Sequence, residues 1–451
     1  MELHGKKILV AGSGISGIGA VKLLSKLGAD IILYDENEKL KKKEIQNKLP
    51  QNIHVEIMIG KLTKEIIEHV ELMIISPGIP LDSPFVNDIR EQGILIWGEI
   101  ELAYECSKGK LIGITGTNGK TTTTSLTGNM IKAFYESVFV VGNIGTPYTN
   151  VALETNAESI TVAEISSFQL ETIEKLRPNV SAILNITPDH LNRHKTMENY
   201  NSIKMSITKE QGPKDVCVLN YDDKVLRNFG QTLHTNVVYF SIKEKLNKGL
   251  YLEDGNIIYE TDSEKILICP CKNLKILGTH NIENVMAATA MSYSMGVPLE
   301  IIREEIEKFQ GVEHRIEYVR EKDRVFYYND SKGTNTDASI KAIEAMVRPT
   351  ILIAGGYDKE SIFDEYVKAF KDKVRYLVLL GETKDKIAQT ATNLGFTSII
   401  FTKNLKEAVE VSRSLANPED AVLLSPACAS WDMFKSYEER GNLFKQYVNE
   451  L

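Results

Sequence analysis

Leu111-Ile112-Gly113-Ile114-Thr115-Gly116-Thr117-Asn118-Gly119-Lys120-Thr121-Thr122 decides the fold. The apolar run Leu111–Thr115 has strand character; it stops at one glycine, passes a second, and enters a helix start at Lys120. Backbone N–H groups of such a loop wrap phosphate oxygens. The lysine neutralises developing charge, and the threonine after it offers a hydroxyl to Mg²⁺. The loop is a short variant, because the standard phosphate loop asks for glycine at position 114, where Ile114 stands. Strand, loop and helix in that order still read as an ATP site built from Gly116, Thr117, Asn118, Gly119, Lys120, Thr121 and Thr122.

A second glycine loop lies towards the N-terminus, Gly12-Ser13-Gly14-Ile15-Ser16-Gly17, between the apolar run Lys6–Ala11 and a helix that reaches Leu27. Its glycines serve a tight turn, a close backbone approach to phosphate, and close helix–strand packing. The helix start then presents free N–H groups to an anion. Asp35 ends the next strand, Ile31–Asp35, where it can bond a ribose or a base edge. This pattern fits a nucleotide or dinucleotide diphosphate without naming which, and also a Rossmann-like domain that holds no ligand.

Around these loops, short apolar runs alternate with helical periodicity, the mark of parallel α/β units. The first group continues through Val55–Ile59, Leu72–Ser76 and Ile94–Trp97; the second through Val138–Val141, Ile160–Ile165, Val180–Ile186 and Val216–Asn220. A hairpin, Leu250–Glu260, turns at Asp254-Gly255. The third group holds Arg324–Tyr328, Ile351–Ala354, Tyr376–Leu380, Ser398–Phe401 and Val422–Ser425. At about 150 residues per domain, 451 residues make about three domains, with boundaries expected near 98 and 311.

Composition narrows the function. Lys+Arg 53 against Asp+Glu 61 leaves a net charge of −8, which disfavours non-specific nucleic-acid binding and docking on an anionic membrane. Phosphate ligands must therefore be held by local devices. Five scattered cysteines (Cys106, Cys217, Cys269, Cys271, Cys428) fit a reducing cytosol better than a disulfide framework. Cys269-Pro270-Cys271 lacks a second Cys/His pair at zinc spacing and reads as ordinary thiols. No stretch approaches the length of a membrane span, so a soluble cytoplasmic protein is expected.

Two nucleotide sites in one chain argue against a simple dehydrogenase, which has no use for a phosphate-gripping lysine loop. A ligase that activates a carboxylate with ATP uses both, one for a nucleotide-tagged substrate and one for ATP. Further stretches then become recognisable: Ser76-Pro77-Gly78-Ile79, Gly142-Asn143-Ile144-Gly145, Glu164-Ile165-Ser166-Ser167-Phe168-Gln169-Leu170-Glu171 and Asn185-Ile186-Thr187-Pro188-Asp189-His190. His280-Asn281-Ile282-Glu283-Asn284, His314-Arg315, Asn329-Asp330-Ser331-Lys332 and Ser425-Pro426-Ala427-Cys428-Ala429-Ser430 follow in order. With these the chain resembles the Mur ligases of peptidoglycan synthesis over essentially its whole length.

The resemblance implies an α/β, three-domain architecture. Rossmann-like domains at residues 1–98 (UDP-binding) and 312–451 (amino-acid-binding) would flank a central phosphate-loop ATPase-like domain at 99–311. It further implies ATP-dependent addition of D-glutamate to UDP-N-acetylmuramoyl-L-alanine through an acyl phosphate. The SSFQLE and SPACAS stretches favour the D-glutamate-adding branch. Glu164, at a strand end after the phosphate loop, would take Mg²⁺ together with Thr121. His190 would bind a second Mg²⁺ and neighbour the substrate. Lys204, on a helix expected at Glu198–Lys209, corresponds to a lysine carbamylated in the family, an anionic ligand for that second ion, and Tyr200 supports the register.

Asn281 and Asn284, on one helical face, look like adenine contacts, since amides donate and accept at once. Arg315, Asp330 and Lys332 resemble residues that reach ATP when the third domain closes. For D-glutamate the match implicates Thr334, Lys359, Ser430, Trp431 and Tyr437; Trp431 and Tyr437 stand where other members often carry Leu and Phe. Ile15, Ser16, Asp35, Ser76, Gly78, Asn143, Ser166, Gln169 and His190 would cradle the UDP substrate. A monomer with no nucleic-acid or membrane partner is expected. The competing readings are a sibling ligase or folylpolyglutamate synthase using another amino acid, an NAD-dependent dehydrogenase, and a nucleotide-binding regulator without turnover.

Overall fold

The structure, a computed structural model, describes residues 3–143, 145–358 and 361–451. The first of three sheets has the spatial order Glu56–Ile59, Asp30–Asp35, Lys7–Ala11, Leu72–Ile75, Leu95–Gly98, with every pair parallel. Ile8 to Ala11 are all buried, as expected of a parallel strand covered on both faces. The winding reverses direction at this strand, and Gly12 leaves its carboxyl end there. Doubly wound sheets bind ligands at that place.

The second sheet has nine strands among the described residues, and one end of it carries Val180–Ile183, Lys110–Thr115, Ile160–Glu164 and the edge strand Val138–Gly142, all parallel. Val216–Asn220 and Asn236–Ser241 extend it on the other side. Beyond them, Gly249–Glu253 and Asn256–Glu260 pair antiparallel. Asp254 (φ 50°) and Gly255 (φ 73°) both take the left-handed conformation that a tight two-residue hairpin turn requires. The third sheet pairs Glu317–Lys322 antiparallel with Val325–Asn329. It continues in parallel through Ala421–Leu424, Thr350–Ala354, Val374–Leu379 and Ile399–Phe401.

The chain packs as two units. One runs to Cys269 and takes back Glu283–Glu305; the other comprises Pro270–Ile282 and Ile306–Leu451. The first two sheets share the first unit for a physical reason. The helix Glu99–Cys106 buries Ile100, Leu102 and Ala103 in one apolar core that runs from Ile8 and Val10 to Leu111 and Ile183. Its two buried acids act as staples. Glu99 accepts from the Thr149 N–H (3.0 Å), and Glu101 accepts from the N–H groups of Glu174 (3.0 Å), Lys175 (2.7 Å) and Leu176 (3.2 Å).

Some elements differ from expectation. The strands Asn236–Ser241, Lys265–Pro270 and Glu317–Lys322 were not legible. The last is a half-exposed edge strand with charges at Glu317, Arg320, Glu321 and Lys322, so it lacks the apolar run that marks the others. The helix expected at Glu198–Lys209 is Met197–Met205, and a tighter 3₁₀ turn, Ser206–Thr208, follows it. All five cysteines are free thiols. Among the described residues no helix is long and apolar enough to cross a membrane.

Candidate active site

The phosphate loop is tied to the segment that follows the strand Val180–Ile183. Asn118 N–H donates to Asn185 Oδ1 (2.9 Å), and Asn185 Nδ2 returns to the Asn118 carbonyl (3.1 Å). Thr117 Oγ1 accepts from Thr187 N–H (3.0 Å) and lies 3.1 Å from the Tyr200 hydroxyl. Gly119 stands at φ 84°, where a Cβ would meet Asn284 Oδ1 at 2.3 Å, so glycine is required twice over. The helix Lys120–Lys132 follows, with Thr122, Thr123 and Thr124 buried. Lys120 Nζ donates to the carbonyls of Gly116 (2.9 Å) and Thr117 (2.8 Å), so its cation sits within the loop.

Glu164 ends the strand beside the phosphate-loop strand, in register with Ile114. It is 1% exposed, and Asn143 Nδ2 donates to its Oε1 at 2.8 Å. Its Oε2 is buried with no hydrogen-bond partner among the described residues. An orphaned carboxylate oxygen in such a place is costly unless a cation joins it. Lys204 is also 1% exposed, and its Nζ donates to the Gly116 carbonyl (2.8 Å), the same carbonyl that Lys120 uses. Burial, reinforced by the Lys120 charge and opposed by Asp189, lowers its ammonium to about 7. The Lys204 amine lies 4.8 Å over the Tyr200 ring.

His190 takes a left-handed backbone (φ 52°) at the start of the short helix Leu191–His194, with Nε2 3.4 Å from Asp189 Oδ2 and its ring 4.8 Å from Phe168. Among the described residues no three His, Cys, Asp or Glu side chains gather as a metal cage. The candidate ligands read from the sequence are the buried Glu164 carboxylate, the His190 imidazole and the Thr121 hydroxyl. A hard divalent ion held mainly by nucleotide phosphates needs no more than that.

The N-terminal glycine loop is built differently. Gly12 has φ 99°, and a Cβ there would strike Ser76 Oγ at 2.5 Å; a Cβ on Gly17 would lie 1.8 Å from the Gly12 carbonyl oxygen. Asp35 Oδ2 accepts from Ser13 N–H (2.9 Å) and Oγ (2.6 Å), and Oδ1 accepts from Asn37 N–H (3.1 Å). Burial would raise this carboxyl, but the Ser13 and Asn37 bonds outweigh it and hold it below the usual carboxylate range. Asp35 therefore braces the loop itself, a use that its expected role on a ribose or base edge did not include. Ile15 is 78% exposed at the helix start, with Ser16 half-buried after it, and Gly78 is exposed. Ser76 Oγ is buried with no hydrogen-bond partner among the described residues. Ser166 and Gln169 form a capping box: the Gln169 N–H donates to Ser166 Oγ (3.3 Å), and the Ser166 N–H donates to Gln169 Oε1 (2.9 Å).

In the second unit, Asp330 follows the strand Val325–Asn329. Its Oδ2 accepts from Ser425 Oγ (2.7 Å) and its Oδ1 from Ile316 N–H (3.2 Å). Burial pushes its carboxyl up to about 7 against those bonds and the charges of Arg315 and Arg440. Lys332 Nζ lies 5.8 Å over the Tyr437 ring, and the Thr334 N–H donates to the Lys332 carbonyl (2.9 Å). Ser430 is buried, whereas Trp431 is 63% exposed with its ring 5.6 Å from Tyr357. Asn281 Nδ2 donates to the Leu277 carbonyl (2.6 Å). In the first unit, Asn284 accepts from Thr123 Oγ1 (3.2 Å). Lys359 lies outside the described residues.

Arg440 was not anticipated. Its buried guanidinium donates to Ser331 Oγ (2.9 Å), the Ser331 carbonyl (2.8 Å) and the Cys428 carbonyl (3.2 Å), tying two expected site stretches together. Burial lowers its pKa to about 10. No local signal marks a lone arginine in a terminal helix; the only cue is its place shortly after SPACAS.

Comparison with known proteins follows this geometry along the chain. Residues 6–98 match the Mur ligase MurD-like N-terminal domain, 114–292 the Mur ligase middle domain, and 314–428 the Mur ligase glutamate ligase domain. The UDP-N-acetylmuramoylalanine–D-glutamate ligase of Lachnoclostridium phytofermentans is 53% identical over 100% of this chain and 99% of that protein. The enzyme of the same name from Lachnospira eligens is 54% identical over the full length of both. Among solved structures, the UDP-N-acetylmuramate–alanine ligase of Thermotoga maritima superposes with a TM-score of 0.59 at 18% identity, covering 99% of this chain and 100% of that one. The MurF ligase of the same organism, solved in complex with ADP, gives 0.55 at 18% identity over 100% and 96%. At these identities the two structures speak to the fold, while the curated relatives match throughout: the chain belongs to the Mur ligase family.

Proposed function

We propose that this protein joins the amine of D-glutamate to the alanyl carboxylate of UDP-N-acetylmuramoyl-L-alanine while ATP is cleaved to ADP and phosphate. The choice of amino acid rests on the names of relatives more than half identical over the whole chain. The observation that carries the chemistry is the buried, unpartnered Glu164 Oε2 beside the phosphate-loop strand. That oxygen suits a nucleotide-bound cation, the charge-neutralising partner that cleavage of ATP requires.

A carboxylate resists amine attack because oxide is a poor leaving group. The alanyl carboxylate therefore attacks the γ-phosphorus of ATP, displacing ADP and forming an acyl phosphate. The D-glutamate amine then adds to the acyl carbon, and the tetrahedral intermediate collapses with loss of phosphate. Lys120 and the loop N–H groups hold the phosphates where charge accumulates. Mg²⁺, for which Thr121, Glu164, His190 and a carbamate on Lys204 are the fitting residues, would supply charge neutralisation on the phosphate oxygens. A buried lysine whose ammonium titrates at about 7 has the free amine that addition to CO₂ requires.

By resemblance, we assign Gly116 to Thr122, Asn281, Asn284, Arg315, Asp330 and Lys332 to ATP. Ile15, Ser16, Asp35, Ser76, Gly78, Asn143, Ser166, Gln169 and His190 go to the UDP substrate, and Thr334, Lys359, Ser430, Trp431 and Tyr437 to D-glutamate. The same reading divides the labour among residues 1–98, 99–311 and 312–451, and has the enzyme work in the cytoplasm as a monomer. The test is stoichiometric. ADP and phosphate released from Mg-ATP should match amide formed one for one; release of AMP and pyrophosphate would sink this mechanism.

A further inference from the structure

The Ser166–Glu171 stretch ends in an acid that the ligation chemistry leaves without a task. Glu171 takes Arg193: Nε lies 3.1 Å from both carboxylate oxygens, and Nη2 lies 2.5 Å from Oε2. The side chains are only 14% and 9% exposed, so the pair is largely desolvated and geometrically fixed. Arg193 Nη2 also donates to the Ile79 carbonyl at 2.9 Å. Ile79 closes the Ser76–Ile79 turn, its N–H donating to the Ser76 carbonyl at 3.0 Å.

The same Arg193 guanidinium also lies against an aromatic ring, 4.6 Å over Phe168, whose other neighbours are His190 (4.8 Å) and His194 (5.5 Å). The Arg193 backbone N–H donates to the His190 carbonyl at 3.0 Å. One cleft is lined by Ser76, Ile79, Phe168, Gln169 and Arg193, and the orphaned Ser76 hydroxyl sits in that lining.

We infer that Arg193, oriented by Glu171, is a positioning residue that fixes the Ser76–Ile79 turn relative to His190 and thereby sets affinity for the UDP-sugar substrate. The inference rests on the proposed reading of Ser76, Gly78 and His190 as part of that substrate's site. Arginine is needed because one planar fork grips Glu171 with two nitrogens and still reaches Ile79. A lysine ammonium has the charge without that geometry.

The test uses the full-length enzyme with Arg193→Gln, Arg193→Lys and Glu171→Gln. KM is measured for each of the three substrates, and calorimetric titration of UDP-N-acetylmuramoyl-L-alanine is run without ATP, Mg²⁺ or D-glutamate. Losing charge-assisted hydrogen bonds, Arg193→Gln should raise both KM and Kd for the UDP-sugar about tenfold or more, with KM for ATP and D-glutamate within about twofold. Arg193→Lys should fall between it and wild type. If Arg193→Gln does not fold, Glu171→Gln, which keeps the arginine and the acid's shape, should show the same selective split at smaller size. Equal rises in all three KM values, or a lower thermal midpoint with KM and Kd unchanged, would overturn the inference. A wild-type enzyme that fails to bind the UDP-sugar counts against the proposed function instead, so the two failures are separable.

Discussion

Asp35 and Glu164 invite comparison, because each ends a parallel strand beside a glycine loop, yet the fold treats them differently. Asp35 has both oxygens engaged by the protein, bracing its own loop through Ser13 and Asn37. Glu164 has one oxygen bonded to Asn143 and the other buried without a partner among the described residues. A strand-end acid is thus not a role in itself. The satisfied one acts as a brace, and the orphaned one is, on the proposed function, kept for a cation that arrives with the nucleotide. Asp330, just beyond a strand in the second unit, is a third case, with both oxygens engaged but in deeper burial.

Substitutions should break this comparison unequally. Glu164→Gln should lower kcat/KM on the order of 10²–10³-fold, the scale of losing one electrostatic stabiliser. It should leave the thermal midpoint unchanged or higher, since it removes a buried charge of which one oxygen has no hydrogen-bond partner among the described residues. Lys204→Ala should cost about 10²-fold or more on the same scale, and added short-chain carboxylates should restore part of the rate. Absence of rescue would count against the carbamate while leaving the family assignment intact.

Asp35→Asn should act more gently and on a different parameter, raising KM for the UDP-sugar roughly tenfold by loosening the loop. Ser13→Ala, which removes the hydroxyl bond but leaves the backbone N–H bonds of Ser13 and Asn37 to Asp35, should raise it less, and the double variant should be no worse than Asp35→Asn alone, because both act through one brace. Its thermal midpoint should fall, the opposite of Glu164→Gln. If instead Asp35→Asn and Glu164→Gln proved alike in both rate and stability, the distinction between brace and store would fail.

The last prediction concerns Asp330 and is read in stability, with no effect on rate assigned to it. Its carboxyl titrates near 7 when folded, against a usual value of 3.8, so the folded state holds the proton more tightly. Its contribution to stability is fully present below the lower value and is lost as pH rises through the higher one. The thermal midpoint of wild type relative to Asp330→Asn should therefore decline between about pH 4 and 7 and level off above. A flat difference across that range would show that Asp330 is not strained by burial.

What could be read from the sequence follows from the range of each signal. The glycine loops, the buried parallel strands and the Asp254-Gly255 hairpin announce themselves within a few residues, because backbone conformation and burial on both faces constrain local composition. The polar edge strand Glu317–Lys322 carries no such constraint. Within the site, Lys120 and Glu164 were legible from position. The Asp35 brace was not, since the spacing that suits a ribose contact equally suits a bond to Ser13. Arg193 with Glu171 and Arg440 with Ser331 were invisible as pairs, because only tertiary packing brings them together. The missed residues brace loops and turns, and the legible ones lie in or beside the phosphate loop.

The central claim is tested most directly by offering the enzyme UDP-N-acetylmuramoyl-L-alanine, Mg-ATP and a panel of amino acids that includes D-glutamate, L-glutamate, L-alanine and a diamino acid, with amide formation as the readout. D-glutamate alone should give product, accompanied by equimolar ADP and phosphate. Failure with D-glutamate, or product only with another amino acid, would contradict the account.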